Sequence, residues 1–480
     1  MSLRERTLSG IKWNFIGNIS NQITTFIIGV FLARLLSPNE YGLIGMTTIF
    51  IVLGETFVDS GFSQALIRKK DCTNIDYSTA FFFNLFSAII VYFMLYLTAD
   101  FVSDFYNENK LTSIIRTVSL GVIINSTAIV QRTILIKELN FKAQTRISII
   151  STLISGFIGL ILAYNNYGVW SLVFKTLSGY LISSILFWLL NNWNPILVFS
   201  KESFRELFSF GTKILASNLI DRFYWNIYYF VIGKYYKSDV LGQYTRAEMF
   251  KNLPSQNFTS IIANVSYPAL SHFGGDVEKL RTNFREVLSL TFFISTMLLG
   301  ILFATSDNLI ILLIGKKWSE SIQMIKILSI SAVPFSASVL FTLLFRLMNT
   351  PNLILKLEFF KKAFAIPVVL IGIFYGFYYM LYFLIISALV DWIINSKYGG
   401  VLINYSLESQ IKDLGPSLIV ISIISYLVFK IEVLLTFNML INLLIQVFIF
   451  FFLLISISEF FMLRPYISLK EKILKLLTII

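Results

Sequence analysis

Apolar runs of about 20 residues, long enough to cross a bilayer as helices, follow one another along almost the whole chain. In hydrocarbon every backbone N–H and C=O must be satisfied within the segment, so such runs are read as helices. Only 14% of the 480 residues are charged, against about 25% in a soluble protein. The expected fold is an all-α polytopic membrane protein. Its 47 Phe and 23 Tyr suit lipid contact and interfacial belts.

Hydropathy divides the chain into about 14 transmembrane helices, at 11-35, 42-66, 79-99, 112-131, 147-164, 168-191, 207-233, 239-270, 285-306, 320-346, 354-376, 378-397, 415-431 and 435-462. The second and eighth are the most polar. With the N-terminus cytoplasmic, one face collects most of the loop Lys and Arg, among them Arg68, Lys69, Lys70, Arg132, Lys137, Arg285, Lys361, Lys362 and Lys470. The other face receives Arg34, Lys110, Lys234, Lys237, Lys316, Lys317 and Lys430, and carries the acidic loop DFVSDFYNENK (100-110). That asymmetry implies an N-in, C-in, multi-pass membrane protein. MSLRERTLSG leads into the first span with no small-residue cleavage site, so that span is read as an uncleaved anchor.

Several function classes are excluded early. One cysteine, Cys72, allows no intramolecular disulfide, and one histidine, His272, argues against a His-based metal cluster. No metal or cofactor is expected. No loop reaches about 30 residues, so a soluble catalytic domain has no place and the protein is read as not an enzyme. The net charge of +12 is scattered over short loops, which suits anionic lipid headgroups and not nucleic acid.

A weak internal repeat is visible. ARLLSPNEYG (33-42) matches GKYYKSDVLG (233-242) at an offset of 200 residues, 233 against 33. SGIKW (9-13) resembles FGTKI (210-214), and Ala65-Leu66 echoes Ala269-Leu270. Six spans separate the copies, so both have the same orientation, a parallel repeat about an axis along the membrane normal. The expected organisation is two pseudo-symmetric six-helix lobes around a central cleft, 1-200 and 201-412, with two peripheral C-terminal helices and a basic tail at 413-480.

Charges at mid-bilayer cost roughly 2.5–3.5 kcal/mol even on insertion scales, so those inside spans must face a cavity, a partner or water. The candidates are Glu55, Asp59, Arg116, Lys175, Lys213, Asp221, Arg222, Arg246, Glu248, Lys251, Lys326, Arg346 and Asp391. Basic residues outnumber acidic ones, so a cleft so lined would hold an anion. The competing reading makes some of these structural: Glu55 and Asp59, four apart on one helix face, would pair with cations of the other lobe, and Lys326 and Arg346 would snorkel. The segment DRFYWNIYYF (221-230) places Asp221, Tyr224, Trp225 and Tyr228 on one helix face and Arg222, Asn226 and Tyr229 on the next. Tyr and Trp offer flat apolar faces with a polar edge, suited either to sugar rings or to an interfacial belt. In the eighth span Pro254 should bend the helix.

LARLLSPNEYGLIGM, DSGFSQALIRKKD followed by DYSTAFFFNL, QRTILIKELNFK, YGVWSLV and GQYTRAEMFKNLPS together resemble the polysaccharide flippases of the colanic-acid and O-antigen type (Wzx-like). These belong to the multidrug/oligosaccharidyl-lipid/polysaccharide exporter superfamily. The resemblance spans roughly 1-415 and implies a V-shaped cleft between two lobes. It implies ion-coupled movement, by alternating access, of polyprenyl-diphosphate-linked oligosaccharide repeat units to the outer leaflet, for exopolysaccharide, capsule or O-antigen synthesis. By position, the family's helix 8 arginine is Arg246 and its helix 7 aspartate is Asp221.

On this reading Arg222, Arg246, Lys251, Lys175 and Arg346 attract the anionic substrate, and Tyr224, Trp225 and Tyr228 contact the glycan. Glu55, Asp59, Asp221 or Asp391 carries a coupling proton or sodium ion. Partners would be the lipid-linked oligosaccharide, the coupling ion, membrane lipid and polysaccharide polymerase machinery. Two alternatives compete. A multidrug or cation antiporter of the same superfamily would prefer an acidic cleft, and a membrane-embedded glycan polymerase or ligase would need a larger outer loop.

Overall fold

The computed structural model describes residues 3-273 and 275-477. The described residues form helices joined by short connections, in two compact units, Met1–Gly242 and Gln243–Ile480. Among the described residues eleven helices are long and apolar enough to cross a membrane, and the chain is a multi-pass membrane protein. The seventh, eighth and eleventh expected spans are helical but too polar to meet that test. The second meets it.

In the first unit α1 (Leu3–Leu35), α2 (Pro38–Asp59), α3 (Phe62–Arg68), α4 (Asn74–Tyr106), α5 (Lys110–Val118), α6 (Leu120–Lys137), α7 (Phe141–Tyr164), α8 (Val169–Leu190) and α9 (Lys201–Tyr235) follow in order. Sequence sets their ends. Ser37 and Glu40 close a capping box over Pro38 at the start of α2, and Thr73 with Asp76 does so for α4, satisfying amides that helix geometry leaves open. Ser60 (φ 48°) and Gly61 (φ 73°) turn the chain left-handed between α2 and α3. α9 packs on α2, α3 and α4. The extended link before it is stitched to the same unit, with Ile196 N donating to Ser78 Oγ at 3.0 Å and Ser200 N to Thr79 Oγ1 at 3.1 Å.

α10 (Ser238–Asn252) begins in the first unit and continues into the second. There α11 (Phe258–Ser271), α12 (Val277–Ile314), α13 (Ser319–Leu347), α14 (Pro351–Ala363), α15 (Ala365–Tyr375), α16 (Phe377–Leu402), α17 (Leu407–Ile431), α18 (Met439–Phe460) and α19 (Arg464–Leu477) follow. The expected distortion at Pro254 takes the form of a five-residue π-helical segment, Leu253–Asn257, a device that inserts an extra residue into a helical turn. The Pro254 carbonyl accepts a bond from Ser295 Oγ at 3.1 Å. α17 and α18 pack on α12, with Gln446 wholly buried and accepting from Asn308 Nδ2 at 3.0 Å. Large side chains such as Leu97, Phe101, Phe374 and Phe448 stay exposed, as a lipid-facing surface requires.

Candidate functional site: two buried charge networks

Residues in the first unit build one network. Glu55, in the last two turns of α2, accepts from Asn125 Nδ2 of α6 at 3.0 Å and is bonded by the Tyr180 hydroxyl of α8. Asn125 Oδ1 in turn accepts from the Arg132 guanidinium at 3.2 Å, and that guanidinium lies 5.3 Å over the Phe187 ring. Seven residues separate Asn125 from Arg132, two turns on one helix face. Asp59, one turn beyond Glu55, accepts from Ser63 N at 3.2 Å and Ser63 Oγ at 2.5 Å, and Thr133 Oγ1 donates to Ser63 Oγ at 3.1 Å. The Arg132 charge acts on both carboxylates, and that of Arg222 acts on Glu55.

Arg132, expected just past the fourth span on the cytoplasmic side, lies half-buried within α6, which runs on to Lys137. A cation compensated by nearby carboxylates does not end a helix. The hydrogen-bond partners of Glu55 and Asp59 come from α3, α6 and α8, while the cations acting on them are Arg132 and, on Glu55, Arg222 of α9.

The remaining first-unit candidates are spread along α8 and α9. Lys175 lies half-buried, its stem against Gly159 of α7, where an added Cβ would meet Lys175 Cβ at 2.9 Å. Arg222 is exposed and Asp221, Tyr224 and Tyr228 are half-buried. Trp225 is exposed, with its ring edge-on to Tyr224 at 5.9 Å.

A second network lies in the second unit. Asp391 of α16 pairs with Lys361 of α14 at 3.2 Å and accepts from Asn395 Nδ2 at 3.4 Å. Lys361, only 9% exposed, also pairs with Glu358. Lys361, expected at the cytoplasmic side of the eleventh span, lies in α14, where Glu358 three residues earlier and Asp391 compensate its charge. Arg246 and Lys251 are half-buried, with Arg246 Nη1 donating to Met249 Sδ at 3.1 Å, and Arg346 is exposed in the last turn of α13. Lys326 pairs with Asp307 at 2.5 Å and stands 4.3 Å over Phe429. Arg116 pairs with Asp100 at 2.7 Å near the end of α4.

Among the described residues no group of three or more His, Cys, Asp and Glu could hold a metal ion. What the networks offer is carboxylates held among hydrogen-bond donors and one or two cations inside apolar helices, an arrangement suited to exchanging a proton or a monovalent cation. The sequence signal that would have found Asn125 and Arg132 is their spacing on one face. For Lys361 it is the Glu358 three residues before it.

Helices of this length and apolarity define a polytopic all-α membrane protein. Solved structures agree on the fold. A lipid II flippase MurJ in an inward closed conformation superposes with a TM-score of 0.72 at 12% identity, covering 95% of this chain and all of that one. An inward-facing multidrug resistance MATE family transporter of the MOP superfamily gives 0.63 at 14% identity, covering 81% and 98%. The family model described as "Polysaccharide biosynthesis protein" matches residues 31–323, and the chain belongs to that family. It is 28% identical to the lipopolysaccharide biosynthesis protein WzxC of Escherichia coli K12 over 386 residues, 78% of this chain and 76% of that protein. It is 24% identical to the teichuronic acid biosynthesis protein TuaB of Bacillus subtilis 168, over 69% of each chain. To the succinoglycan biosynthesis transport protein ExoT of Rhizobium meliloti it is 22% identical, over 67% of this chain and 65% of that one.

Proposed function

We propose that the chain is a flippase carrying polyprenyl-diphosphate-linked oligosaccharide repeat units from the inner to the outer leaflet of a bacterial plasma membrane, driven by a coupled ion. The observation that carries the reading is the Glu55–Asn125–Arg132 network, built inside the helices of a chain whose relatives are named for polysaccharide biosynthesis and transport. Charges inside apolar helices are retained where they serve a pathway.

The two repeats, 1-200 and 201-412, work as lobes that alternate access, with both termini cytoplasmic. Arg222, Arg246, Lys251, Lys175 and Arg346 draw in the diphosphate and anionic sugars. Tyr224, Trp225 and Tyr228 lie along sugar faces, a role the exposure of Trp225 supports. The polyprenyl tail stays in lipid. Glu55, Asp59, Asp221 and Asp391 are the carboxylates from which the coupling proton or sodium ion is bound and released, and the polymer is completed by polymerase machinery on the far side.

The test is mass spectrometry of polyprenyl-linked glycans in the native host with and without the protein. Complete single repeat units should accumulate in its absence, shielded from a glycosidase added outside the membrane. Accumulated units open to the added enzyme would place the defect in polymerisation, and an unchanged profile would overturn the reading. Arg246→Glu should abolish flipping with the protein still in the membrane.

A further inference from the structure

On α16 and the first turn of α17, four polar side chains carry buried atoms that no protein atom among the described residues partners: Trp392 Nε1, Asn395 Oδ1, Ser396 Oγ and Gln410 Oε1. Asn395 is 1% exposed, and Ser396 and Gln410 are 0% exposed. Buried amides and hydroxyls are costly without a partner, and when protein does not supply one, ordered water does.

Three of these groups, those of Asn395, Ser396 and Gln410, stand along a run of hydrogen bonds. Asn395 Nδ2 donates to Asp391 Oδ2 at 3.4 Å, and Ser396 is the next residue along α16. The Ser396 carbonyl accepts from Gln410 Nε2 at 3.1 Å, and the same nitrogen donates to the Tyr405 carbonyl at 2.9 Å. The Tyr405 hydroxyl donates to Asp413 Oδ2 at 2.5 Å, and Asp413 takes both arms of Arg285 at 2.9 Å. Gly400 permits the fold-back, because a Cβ there would stand 2.2 Å from the Tyr405 carbonyl oxygen and 2.8 Å from Gln410 Nε2. The charged groups in contact with the run stand at its ends: Glu358, Lys361 and Asp391 at one, Arg285 and Asp413 at the other. The eleven helical steps from Asp391 to Leu402 give a length of about 16 Å.

We infer that this run is a hydrated proton path joining Asp391 to the membrane face on which α16 ends, with water as its ligand. Asn395 and Ser396, as successive helix residues, project about 100° apart, which suits a file of waters and not one shared metal ion. The path rests on the ion-coupled reading above for its purpose, not for its existence. It narrows the coupling ion to the proton and gives Tyr405, whose hydroxyl can both accept and donate, the place of the last relay before Asp413.

The experiment is hydroxyl-radical footprinting by brief X-ray exposure of the full chain in nanodiscs, where radicals arise from bound water in place. Tyr405 is 2% exposed and would be oxidised only if water stands beside it. It should react in the wild type. Ser396→Ala, and separately Asn395→Leu, should slow that reaction about fivefold by removing water partners, with the exposed Tyr426 unchanged. A Tyr405 that is unreactive in the wild type, or equally reactive in both variants, overturns the path.

The same variants in proteoliposomes should lose most of the dependence of lipid-linked glycan flipping on a pH gradient, and wild-type dependence in both would overturn the proton assignment. Footprinting needs no substrate. A wild type that labels at Tyr405 but flips nothing therefore refutes the proposed function and leaves the hydrated path standing.

Discussion

Gly42 and Ser238 approach so closely that a Cβ on the glycine would stand 1.8 Å from the Ser238 carbonyl oxygen, and Gly242 meets the Pro38 carbonyl oxygen at the same 1.8 Å. The contact is reciprocal across the repeat: Pro38 and Gly42 in one copy correspond to Ser238 and Gly242 in the other. The first turns of α2 and α10 cross there with backbone against backbone, and Asn39 Nδ2 adds a bond to Ser238 Oγ at 2.6 Å. The matched glycines in ARLLSPNEYG and GKYYKSDVLG therefore have a physical cause, since any side chain would part the helices.

Gly42→Ala or Gly242→Ala should destabilise the protein by at least about 2 kcal/mol, because overpacking against rigid backbone outweighs the better helix propensity of alanine. Thermal unfolding of purified protein in nanodiscs checks this. Gly275→Ala, with nothing within 4 Å of its would-be Cβ, is the control and should be neutral.

Arg285 holds Asp413 through two bonds of 2.9 Å and stacks 5.1 Å from the Tyr405 ring, tying α12 to the start of α17. Arg285→Ala should cost about 1–2 kcal/mol, below the value of a dry pair because the side chain is partly exposed. Arg285→Lys should restore little of it, since a lysine cannot present the planar fork. Unfolding midpoints of the two variants, compared at one protein concentration, decide between bidentate geometry and charge alone.

Much of the architecture was legible because bilayer crossing imposes length and apolarity directly on sequence. The Pro254 distortion was legible for a similar reason, since proline removes a backbone donor wherever it stands. The candidate site was legible only by halves. Glu55, Asp59 and Asp391 stand out as charges within spans, but Arg132 and Lys361 are counted with the cytoplasmic-side cations, because a basic residue near a span end looks the same whether it snorkels to water or pairs with a carboxylate. Neutral partners left weaker marks still. Asn125, Tyr180 and Asn395 carry no charge, and their part appears only when α6, α8 and α16 are packed.

The Arg132 charge acts on two half-buried carboxylates, Glu55 and Asp59, so removing it should cost more than removing one of them. Arg132→Met should destabilise by about 2–3 kcal/mol, less than a fully dry pair because Arg132 is half-buried, and Arg132→Met with Glu55→Gln should recover a large part of that loss. A double-mutant cycle on unfolding measures the coupling, and additive losses would refute it. Glu55→Gln alone should remain folded yet fail to support export if Glu55 exchanges the coupling ion.

Lys69 follows the last residue of α3 and bridges Glu206 of α9 at 2.8 Å and Asp76 of α4 at 3.0 Å. The bond to Glu206, joined by that to Asp76, holds its ammonium above the ordinary lysine value of 10.5, against a smaller opposing effect of burial. A cation favoured in the fold contributes stability that is complete below 10.5 and is lost as pH rises through the higher folded-state value. Lys69→Met should therefore cost about 1 kcal/mol at neutral pH, a modest figure because Glu206 is exposed. The gap between the wild-type and variant unfolding curves should close as pH rises through the folded-state lysine value, and should narrow in acid as well, where protonation of Asp76 and Glu206 removes the same bridge. Stability measured against pH for both proteins checks the sign: a gap that stays open through the alkaline range would show that the charge of Lys69 does not set this contribution.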